Sequence, residues 1–408
     1  MADLVVYHLD FKKGVDNMKK LFKNMRLVDV ENEEVVENKI VVVKDDKFTY
    51  VGDNEEVEVD EVIDLEGKTL IPGLIDAHIH SLFDASADPF GSLERDSHST
   101  ITLKAADFMK KTLEAGIIAI RDMGGVEYLE KGLNDAIKDG LTPGPLMQLS
   151  GKLITMTGGH GYLFGREADG PAEVRKATRE QLKEGVDLIK IMATGGVMTE
   201  GVEPGSPQLT EEEMRAACEE AHKADRKVAT HAQGVEGIKN ALRAGVDSIE
   251  HGIFLDDEAI ELMLKNDVYL VPTLAAPYWI IEAGVEGGVA KFAVEKAKKV
   301  MKSHAESFQM AKDAGVKIAM GTDAGTPFNK HGKNTFEIKM MVENGMTELE
   351  ALKAATMGGA RLMELADSLG SISEGKLANM VVINGKPDKN IEDIFEVNSV
   401  YKNGEKVV

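Results

Sequence analysis

The sequence predicts an α/β protein, a (β/α)8 barrel of the TIM type with a small β-sandwich domain formed from both chain ends. Eight short apolar segments have the pattern of buried strands, and charged stretches with helical periodicity alternate with them. Short strand-like segments separated by turn residues stand before and after this region. Eight strands in succession, joined by right-handed crossovers, favour closure into a barrel over an open doubly wound sheet.

The chain divides into four predicted segments. Residues 1–20 form an N-terminal extension to which no role is assigned, and 21–69 form the first part of the small β-domain. Residues 70–369 form the barrel, and 370–408 return to the small domain. The strands of the small domain are predicted at 22–26, 39–43, 48–51, 62–65, 379–384, 397–402 and 405–408.

The barrel elements follow from the alternation of apolar and charged stretches. The predicted strands are 74–80, 117–123, 146–151, 187–192, 227–231, 248–251, 268–274 and 316–323. The predicted helices include 102–115, 171–184, 211–224, 234–244, 256–265 and 289–314. The paired glycines at 158–159 and 195–196 lack the spacing of a dinucleotide-binding loop, which argues against a Rossmann fold.

The composition limits the function classes. The 408 residues carry a formal net charge of −22, which argues against nucleic acid or an anionic membrane as a partner. The single cysteine, Cys218, rules out an intrachain disulfide framework and suits the cytoplasm, and we expect a packed or half-exposed thiol rather than a nucleophile. The N-terminus lacks the pattern of a signal peptide, and no apolar run is long enough to cross a bilayer. We expect a small-molecule substrate, and neither nucleic acid nor a membrane as a partner.

Residues that can bind a divalent metal stand at the ends of five predicted strands. Because the carboxyl ends of parallel strands meet at one mouth of a barrel, we expect these side chains to form one site. The pair His78 and His80 shares one face of its strand, since side chains alternate with a period of two. The predicted metal ligands are His78, His80, Lys190, His231, His251 and Asp323.

Lys190 is the unusual member of this set. Its neighbours Leu188 and Met192 share its face of the strand, so the lysine is expected to be buried, where a free ammonium is costly. Asp187 points to the opposite face and is a poor partner. A deprotonated lysine can take up carbon dioxide and become a carbamate, which is anionic and can bridge two metals. Nitrogen and oxygen ligands with open positions suit zinc, with manganese, cobalt or iron as alternatives.

Other titratable residues are predicted to have structural roles. Asp122 is expected to form an ion pair with its neighbour Arg121, or to support the site from behind, rather than to bind metal. The histidines predicted to lie on the surface are His8, His98, His222, His304 and His331.

These residues resemble the amidohydrolase superfamily over nearly all of 20–408. The motifs that carry the resemblance are 71–80 (IPGLIDAHIH), Lys190, His231, His251, 321–325 (GTDAG) and 370–382 (GSISEGKLANMVV). Within the superfamily, 190–196 (KIMATGG) and 157–161 (TGGHG) are similar to the branch of Xaa-Pro dipeptidases, Lys/Arg carboxypeptidases and imidazolonepropionase-related proteins.

The resemblance implies a centre of two divalent metal ions, zinc being expected, bridged by carboxylated Lys190. One metal would be held by His78, His80 and Asp323, and the other by His231 and His251. Imidazolonepropionases lack this lysine and use a single metal, so Lys190 favours the dipeptidase-like side. Relatives are commonly oligomers, so a homo-oligomer is expected.

The expected function is a binuclear metal-dependent amidohydrolase that cleaves an amide bond of a dipeptide or N-acyl amino acid by attack of a metal-bridging hydroxide. Asp323 would take the proton of the hydroxide and deliver it to the leaving nitrogen. His160, in a Gly-rich loop, either hydrogen-bonds the substrate or holds that loop. Gln233 stands where comparable dipeptidases often have a tyrosine that grips the substrate carboxylate, so it is a substrate-binding candidate that puts dipeptide specificity in doubt. The segments 81–100, 199–208 and 275–288 are expected to cover the mouth.

Three alternatives remain open. One is hydrolysis or deamination of a cyclic amide or imidazolone-type ring. Another is a non-catalytic barrel that serves in assembly, although such relatives usually lose metal ligands that this sequence keeps. The third is a sugar- or phosphate-processing barrel, which the absence of a phosphate-binding loop disfavours.

Overall fold

The computed structural model of the protein describes residues 18–53 and 57–408. The strands are β1 (Lys19–Lys23), β2 (Arg26–Asp29), β3 (Glu34–Glu37), β4 (Ile40–Lys44), β5 (Lys47–Gly52), β6 (Glu61–Asp64), β7 (Thr69–Pro72), β8 (Leu74–Ile79), β9 (Ile117–Asp122), β10 (Leu146–Leu149), β11 (Ile154–Thr155), β12 (Arg166–Glu167), β13 (Leu188–Met192), β14 (Lys227–Ala232), β15 (Ser248–His251), β16 (Tyr269–Val271), β17 (Met380–Ile383), β18 (Val397–Lys402) and β19 (Glu405–Lys406).

Helices follow most of the strands in the central region. They are α1 (Pro89–Arg95), α2 (His98–Glu114), α3 (Leu129–Lys138), α4 (Gly170–Lys183), α5 (Glu211–Lys223), α6 (Val235–Ala244), α7 (Asp257–Asn266), α8 (Ala275–Ala283), α9 (Lys291–Asp313), α10 (Phe336–Glu343), α11 (Glu348–Lys353) and α12 (Gly359–Leu362). A π-helical turn spans Ala354–Gly358, and a 3-10 turn spans Ile391–Phe395. None of the helices in the described ranges has the length and apolar character that a membrane span requires.

Eight parallel segments close a barrel in the centre of the chain. β8, β9 and β10 pair in parallel, and β13, β14, β15 and β16 form a second parallel run. The backbone N–H of Asp187 donates to Leu149 O at 2.8 Å, which joins β10 to the β13 segment. The eighth segment completes the ring through parallel bridges, one between Ile318 and Leu270 of β16 and one between Ala324 and the end of β8. The predicted (β/α)8 barrel is therefore confirmed.

The eighth segment is not the regular strand predicted at 316–323. Within the described part of the chain it pairs only through isolated bridges. The backbone N–H groups of Thr322 and Asp323 both donate to His78 O, at 3.2 and 2.7 Å, and Asp323 has a φ of 61°. A non-glycine residue in this left-handed region interrupts a ladder, so the segment turns where it reaches the mouth.

Local sequence explains where the outer helices begin and end. The side chain of Ser97 accepts from Thr100 N–H, which starts α2 four residues before the predicted boundary at 102. Thr210 and Glu213 form a capping box at the start of α5. Gly245, with a φ of 99°, ends α6 in the left-handed conformation that glycine adopts most readily. The other predicted helices agree with the observed bounds to within two residues.

Both chain ends contribute to one two-layer β-sandwich. One sheet has the strand order β5-β4-β1-β6, and the other has the order β19-β18-β17-β7-β2-β3. Side chains of both sheets share a buried core that includes Phe22, Phe48, Leu70, Met380 and Tyr401. β1 begins at Lys19, so the last residues of the predicted extension 1–20 belong to this sandwich, and 1–17 lie outside the described residues. The predicted strand 22–26 spans the turn between β1 and β2, and the sequence analysis did not predict β3 or β7.

A strand pair and an ion pair join the two ends of the chain. β7 runs antiparallel to β17, and Thr69 pairs with Ile383. The guanidinium of Arg26 makes hydrogen bonds of 2.8 and 2.9 Å to both carboxylate oxygens of Asp388, whose side chain is 1% exposed. A bidentate pair that is shielded in this way depends on both partners, because loss of one leaves the other charge desolvated.

Asp388→Asn is expected to lower the free energy of unfolding by about 2–3 kcal/mol, because the shielded Arg26 guanidinium loses its anionic partner. Glu37→Gln is the matched control. Glu37 also faces Arg26, at 3.7 Å, but its side chain is 67% exposed, and the expected change is below about 1 kcal/mol. Urea unfolding followed by circular dichroism measures both variants. Equal effects of the two substitutions would contradict the assigned role of Asp388.

Candidate metal centre

The C-terminal mouth of the barrel gathers all the side chains predicted as metal ligands. They stand at the ends of β8, β14 and β15, within β13, and in the turn of the eighth segment. The cavity at the mouth is lined by His78, His80, Lys190, His231, His251 and Asp323, among others. Five of the six are buried, and the side chain of Asp323 is 13% exposed. The barrel thus converts positions far apart in the sequence into neighbours.

Asp323 lies between two imidazoles. Its Oδ1 is 3.4 Å from His78 Nε2 and 3.3 Å from His80 Nε2. One ligand atom from each of His78, His251 and Asp323 lies within 4.8 Å of the other two. Burial by itself would raise the pKa of Asp323, but the nearby His78 and His80 outweigh burial and hold that pKa well below its ordinary value. Asp323 is therefore an anion, and the group has the composition of a divalent-cation site.

Two buried imidazoles stand beside this group. The ring centroids of His231 and His251 are 4.5 Å apart. Burial holds the pKa of both rings well below the ordinary value for histidine. Both rings are therefore neutral near pH 7, which is the form that can offer a nitrogen to a metal.

Lys190 brings its amine into the same cavity. The Nζ atom is buried and has no hydrogen-bond partner among the described residues. Burial lowers the pKa of this amine to about 8. Asp187 is directed elsewhere, since its Oδ2 accepts from Leu149 N–H at 2.9 Å. Asp187 and Lys190 point to opposite faces of the sheet, because side chains alternate between the faces along a strand.

Three buried polar atoms at this site indicate that the cavity binds a ligand. Lys190 Nζ, His231 Nε2 and Asp323 Oδ1 are buried without hydrogen bonds to any described residue. Buried polar atoms nearly always have partners, so three such atoms lining one cavity mark a place for a ligand. The set combines imidazole nitrogens with a carboxylate, which suits divalent cations such as zinc. The residues present therefore fit a metal centre.

Three of the imidazoles are held through Nδ1. Such contacts fix the rotation of a ring and direct Nε2 toward the cavity. The contacts are His78 Nδ1 to Glu250 Oε2 at 2.7 Å, His80 Nδ1 to Gly124 O at 2.9 Å, and His251 Nδ1 to Thr273 Oγ1 at 2.6 Å.

A buried ion pair between Glu250 and Arg121 stands behind His78. An Nη atom of Arg121 donates to Glu250 Oε1 at 2.7 Å, and Arg121 also donates through Nε to the backbone of β8. Burial would raise the pKa of Glu250, but Arg121 and His78 outweigh it, so the carboxyl stays ionised. The sequence analysis gave Glu250 no role. A carboxylate next to the predicted ligand His251, in a segment predicted to be a buried strand, was the available signal.

The predicted ion pair between Arg121 and Asp122 is wrong. Arg121 pairs with Glu250, whereas Asp122 accepts hydrogen bonds from Ser81 and from Gly124 N–H. Successive side chains in β9 point to opposite faces, so these two neighbours cannot meet. Asp122 supports the site from behind by holding the two loops that follow β8 and β9.

Asp76 anchors the segment that carries Asp323. Its carboxylate accepts from Thr322 N–H at 3.0 Å and from Thr322 Oγ1 at 2.6 Å. Burial raises the pKa of Asp76 to about 6. Gly321 permits the close approach, because a Cβ at this position would lie 2.8 Å from His78 Cβ. The same contacts that turn the eighth segment therefore place Asp323 at the mouth.

The two substrate-contact candidates both line the cavity. The ring of His160 lies 4.4 Å from that of His231, and its Nδ1 is 2.6 Å from Thr199 Oγ1. Burial lowers the pKa of His160 to about 4, so the ring is neutral. Gln233 Oε1 has no hydrogen-bond partner within the described ranges. The hydrogen bond to Thr199 lets His160 hold its Gly-rich loop in place. Because His160 also lines the cavity, it can contact a substrate.

The three segments predicted at the mouth differ in structure. The first contributes Phe83 and Phe90 to the cavity lining, the latter from α1. The second contributes Thr199 to the contact with His160, and Lys296 of α9 secures it by donating to Thr199 O at 2.6 Å. The third is largely the helix α8, whose Ile280 lines the cavity.

Two histidines predicted on the surface are buried instead. His304 Nε2 lies 2.7 Å from Pro272 O, and His331 Nε2 lies 2.9 Å from Phe83 O. The error arose because helices and loops were treated as solvent-facing, although His304 shares the apolar face of α9 with Val300. His98 and the side chain of His222 are exposed, and His8 lies outside the described residues.

Cys218 is buried in α5, and burial raises the pKa of its thiol to about 12. A thiol with so high a pKa is a poor nucleophile at neutral pH. The expectation of a packed rather than a reactive cysteine is therefore confirmed.

Comparisons with known proteins agree with this architecture. The model of the amidohydrolase family matches residues 69–407. The crystal structure of a Xaa-Pro dipeptidase with bound methionine in its active site is 34% identical and superposes with a TM-score of 0.88, covering 95% of this chain and 99% of that chain. An ochratoxinase from Aspergillus niger is 29% identical, covering 91% of this chain and 83% of its own length. An imidazolonepropionase from Fusobacterium nucleatum is 24% identical, covering 100% of this chain and 99% of its own.

A closed parallel barrel with a flanking β-sandwich and a histidine-lined mouth defines a class of barrel hydrolases. The chain belongs to the amidohydrolase family. It is accordingly a hydrolase that acts on carbon–nitrogen bonds. The predicted resemblance, including the branch of dipeptidases and imidazolonepropionase-related proteins, is confirmed.

Glu250→Gln is expected to weaken zinc binding by about 10- to 100-fold, because His78 loses the anion that orients its ring. Equilibrium dialysis with metal analysis measures the change. Glu220→Gln is the matched control, since it removes a carboxylate of the same size that pairs with arginines on the outer helices. Unchanged zinc affinity in Glu250→Gln would show that the ion pair does not support the centre.

Proposed function

We propose that the protein is a binuclear metal-dependent amidohydrolase that cleaves an amide bond of a dipeptide or an N-acyl amino acid. The observation that carries the proposal is the buried amine of Lys190, which has no hydrogen-bond partner among the described residues and lines the same cavity as His231 and Asp323. A structural lysine in such a place would be expected to have an anionic partner. We propose zinc as the cation, because nitrogen and oxygen donors suit zinc.

The ligand set divides into two proposed cation positions. One would use His78, His80 and Asp323, which the contacts of 3.4 and 3.3 Å support. The other would use His231 and His251, whose rings are 4.5 Å apart. Because a ligand atom of His251 lies within 4.8 Å of ligand atoms of His78 and Asp323, the two proposed positions could share a ligand.

Carboxylated Lys190 is the proposed shared ligand. The neutral amine would attack the carbon of carbon dioxide, form an N–C bond and release one proton, which leaves a carbamate anion. Burial favours this reaction because it lowers the pKa of the amine to about 8 and so raises the neutral fraction. The imidazoles of the ligand set are neutral and Asp323 supplies one negative charge, so a carbamate would add a second negative charge to balance two divalent cations.

The chain's own residues would manage the proton and the substrate. Two bound divalent cations would supply a Lewis acid for the amide carbonyl and a nucleophile from water. Asp323 Oδ1, buried and free of hydrogen bonds to the described residues, would accept a proton and pass it to the leaving nitrogen. His160 is neutral and could donate a hydrogen bond to the carbonyl oxygen, and Gln233 could bond a polar group of the substrate.

The named relatives support this choice of substrate class and keep one alternative open. The similar Xaa-Pro dipeptidase favours a linear amide, namely a dipeptide. The more distant imidazolonepropionase favours the alternative, which is hydrolysis or deamination of a cyclic amide or imidazolone-type ring. Lys190 favours the first, because as a carbamate it could bridge two cations, whereas imidazolonepropionases lack this lysine and use a single metal. A cytoplasmic location and a homo-oligomeric state also remain proposals.

Product analysis on metal-loaded protein tests the proposal. The panel would contain dipeptides, N-acyl amino acids and cyclic amides, each at matched concentration. Release of a free amine and a free carboxylate from linear members supports the proposal. Turnover confined to the cyclic members would transfer the assignment to ring hydrolysis, and ammonia release would indicate deamination.

Lys190→Ala is expected to lose at least half of the bound metal, because the bridging anion is missing, and short carboxylic acids such as acetate should restore part of it. Elemental analysis after dialysis measures the metal content. Lys402→Ala is the control, since Lys402 is also largely shielded but donates to Gly144 O far from the mouth. Wild-type metal content in Lys190→Ala would reject the bridging role.

Asp323→Asn is expected to retain much of its metal yet lower kcat by about 10²- to 10⁴-fold, because an amide cannot carry the proton. Steady-state rates on the best linear amide and metal analysis of the same preparation measure both quantities. Asp84→Asn is the control, because Asp84 hydrogen-bonds Ser86 and pairs with Lys104. Undiminished turnover in Asp323→Asn would remove it as the proton carrier.

A further inference from the structure

Three phenylalanines form an aromatic wall along one side of the cavity. The wall consists of Phe83, Phe90 and Phe164, all of which line the cavity. Their ring centroids are 5.0 Å apart for Phe83 and Phe164, and 5.4 Å for each pair that includes Phe90. These are the separations of packed aromatic side chains. The wall begins beside the candidate centre, because Phe83 stacks on His80 at 4.5 Å.

Further apolar residues from a separate part of the fold line the same cavity. Val197, Ile253, Ile280 and Val300 belong to a different buried cluster from the one that includes Phe83. The space between the two clusters is therefore bounded by hydrophobic side chains of unrelated elements. A cavity of this kind gains most from an occupant that buries apolar surface.

The charges of the cavity are confined to the candidate centre. Among the described residues of the lining, Lys190 and Asp323 are the ones with formal charge, the histidines being counted as neutral. Both belong to the proposed catalytic apparatus. An acidic or basic side chain placed against the aromatic wall would thus lose water without meeting an opposite charge from the lining.

We propose that the aromatic wall is the specificity pocket for an aromatic or other bulky apolar group next to the scissile amide. The inference rests on the proposed function, and it deepens it by naming the chemistry of the substrate. Amides with a phenyl group near the scissile bond are selected over those with a methyl group. Amides with an ammonium or a carboxylate in its place are rejected.

Phe90 is the residue on which the wall can be tested. It is only partly buried and comes from the short helix α1, whereas Phe83 supports His80 directly. Leu93 offers a matched control. It lies on the same helix, packs against the barrel core and stands outside the lining formed by the described residues. Truncation of either residue removes a partly buried apolar side chain from α1, but of the two only Phe90 lines the cavity.

The kinetic test compares matched amides that differ in one group, namely N-acetyl derivatives of phenylalanine, alanine, lysine and aspartate. On metal-loaded wild type, kcat/KM for the phenylalanine compound should exceed that for the alanine compound by at least about tenfold. Phe90→Ala should reduce this ratio at least about fivefold, and Leu93→Ala should leave it within about twofold. An equal loss on both compounds in Phe90→Ala would overturn the proposal, because it would make the wall a mere support for the centre.

A binding test separates the pocket from the reaction. Calorimetry would compare benzylphosphonate with methylphosphonate on metal-loaded protein, since both offer the same anion and differ in the phenyl group. Benzylphosphonate should bind at least about tenfold more tightly in wild type and in Leu93→Ala, and the difference should shrink in Phe90→Ala. If no linear amide is cleaved while the benzyl preference persists, the proposed reaction fails and the pocket stands. Equal affinity of the two phosphonates in wild type would overturn the pocket, even if small amides are cleaved.

Discussion

The burial of the Lys190 amine is the constraint around which this site is organised. An ammonium at the centre of a barrel mouth, with no partner in the described lining, is held only at a high cost in free energy. Glu250 and Asp323 favour the charged form of the amine without hydrogen-bonding it, but burial outweighs them, and Asp187 is committed to the neighbouring strand. The amine must therefore be either neutral or chemically modified. Both states are compatible with a ligand set of neutral imidazoles and one carboxylate.

The interior of the barrel below this site is not uniformly apolar. The ion pair between Glu250 and Arg121 lies in this interior, and Glu250 also contacts His78. The barrel interior therefore contains a buried ion pair at a place where TIM barrels mostly have branched aliphatic side chains. The pair orients one imidazole, and the loop carbonyl of Gly124 orients another. The precision of the mouth depends on residues that themselves do not reach the cavity, and a rigid strand scaffold makes this possible.

The strand-end pattern predicted the barrel and the convergence of the candidate ligands, because both follow from periodicities that a single chain displays. What it could not predict depends on contacts between distant segments. The irregular path around Asp323 follows from hydrogen bonds to Asp76 and His78 rather than from local propensity. The burial of His304 and the role of Glu250 likewise depend on which face of an element meets the barrel. The aromatic wall combines Phe83 and Phe90 from the segment after β8 with Phe164 from the segment between β11 and β12, and such short segments carry no sustained periodic signal.

The interlocked chain ends have a consequence for biosynthesis. Thr69 in β7 bonds the backbone of Gly385, 316 residues further along the chain. On the ribosome the amino-terminal strands of the sandwich are synthesised first. Their β-edge stays unpaired until the barrel and the last strands have been translated. Loop closure over such a span is slow, so premature termination near the carboxyl end would release a chain whose barrel sequence is complete but whose exposed edge invites aggregation.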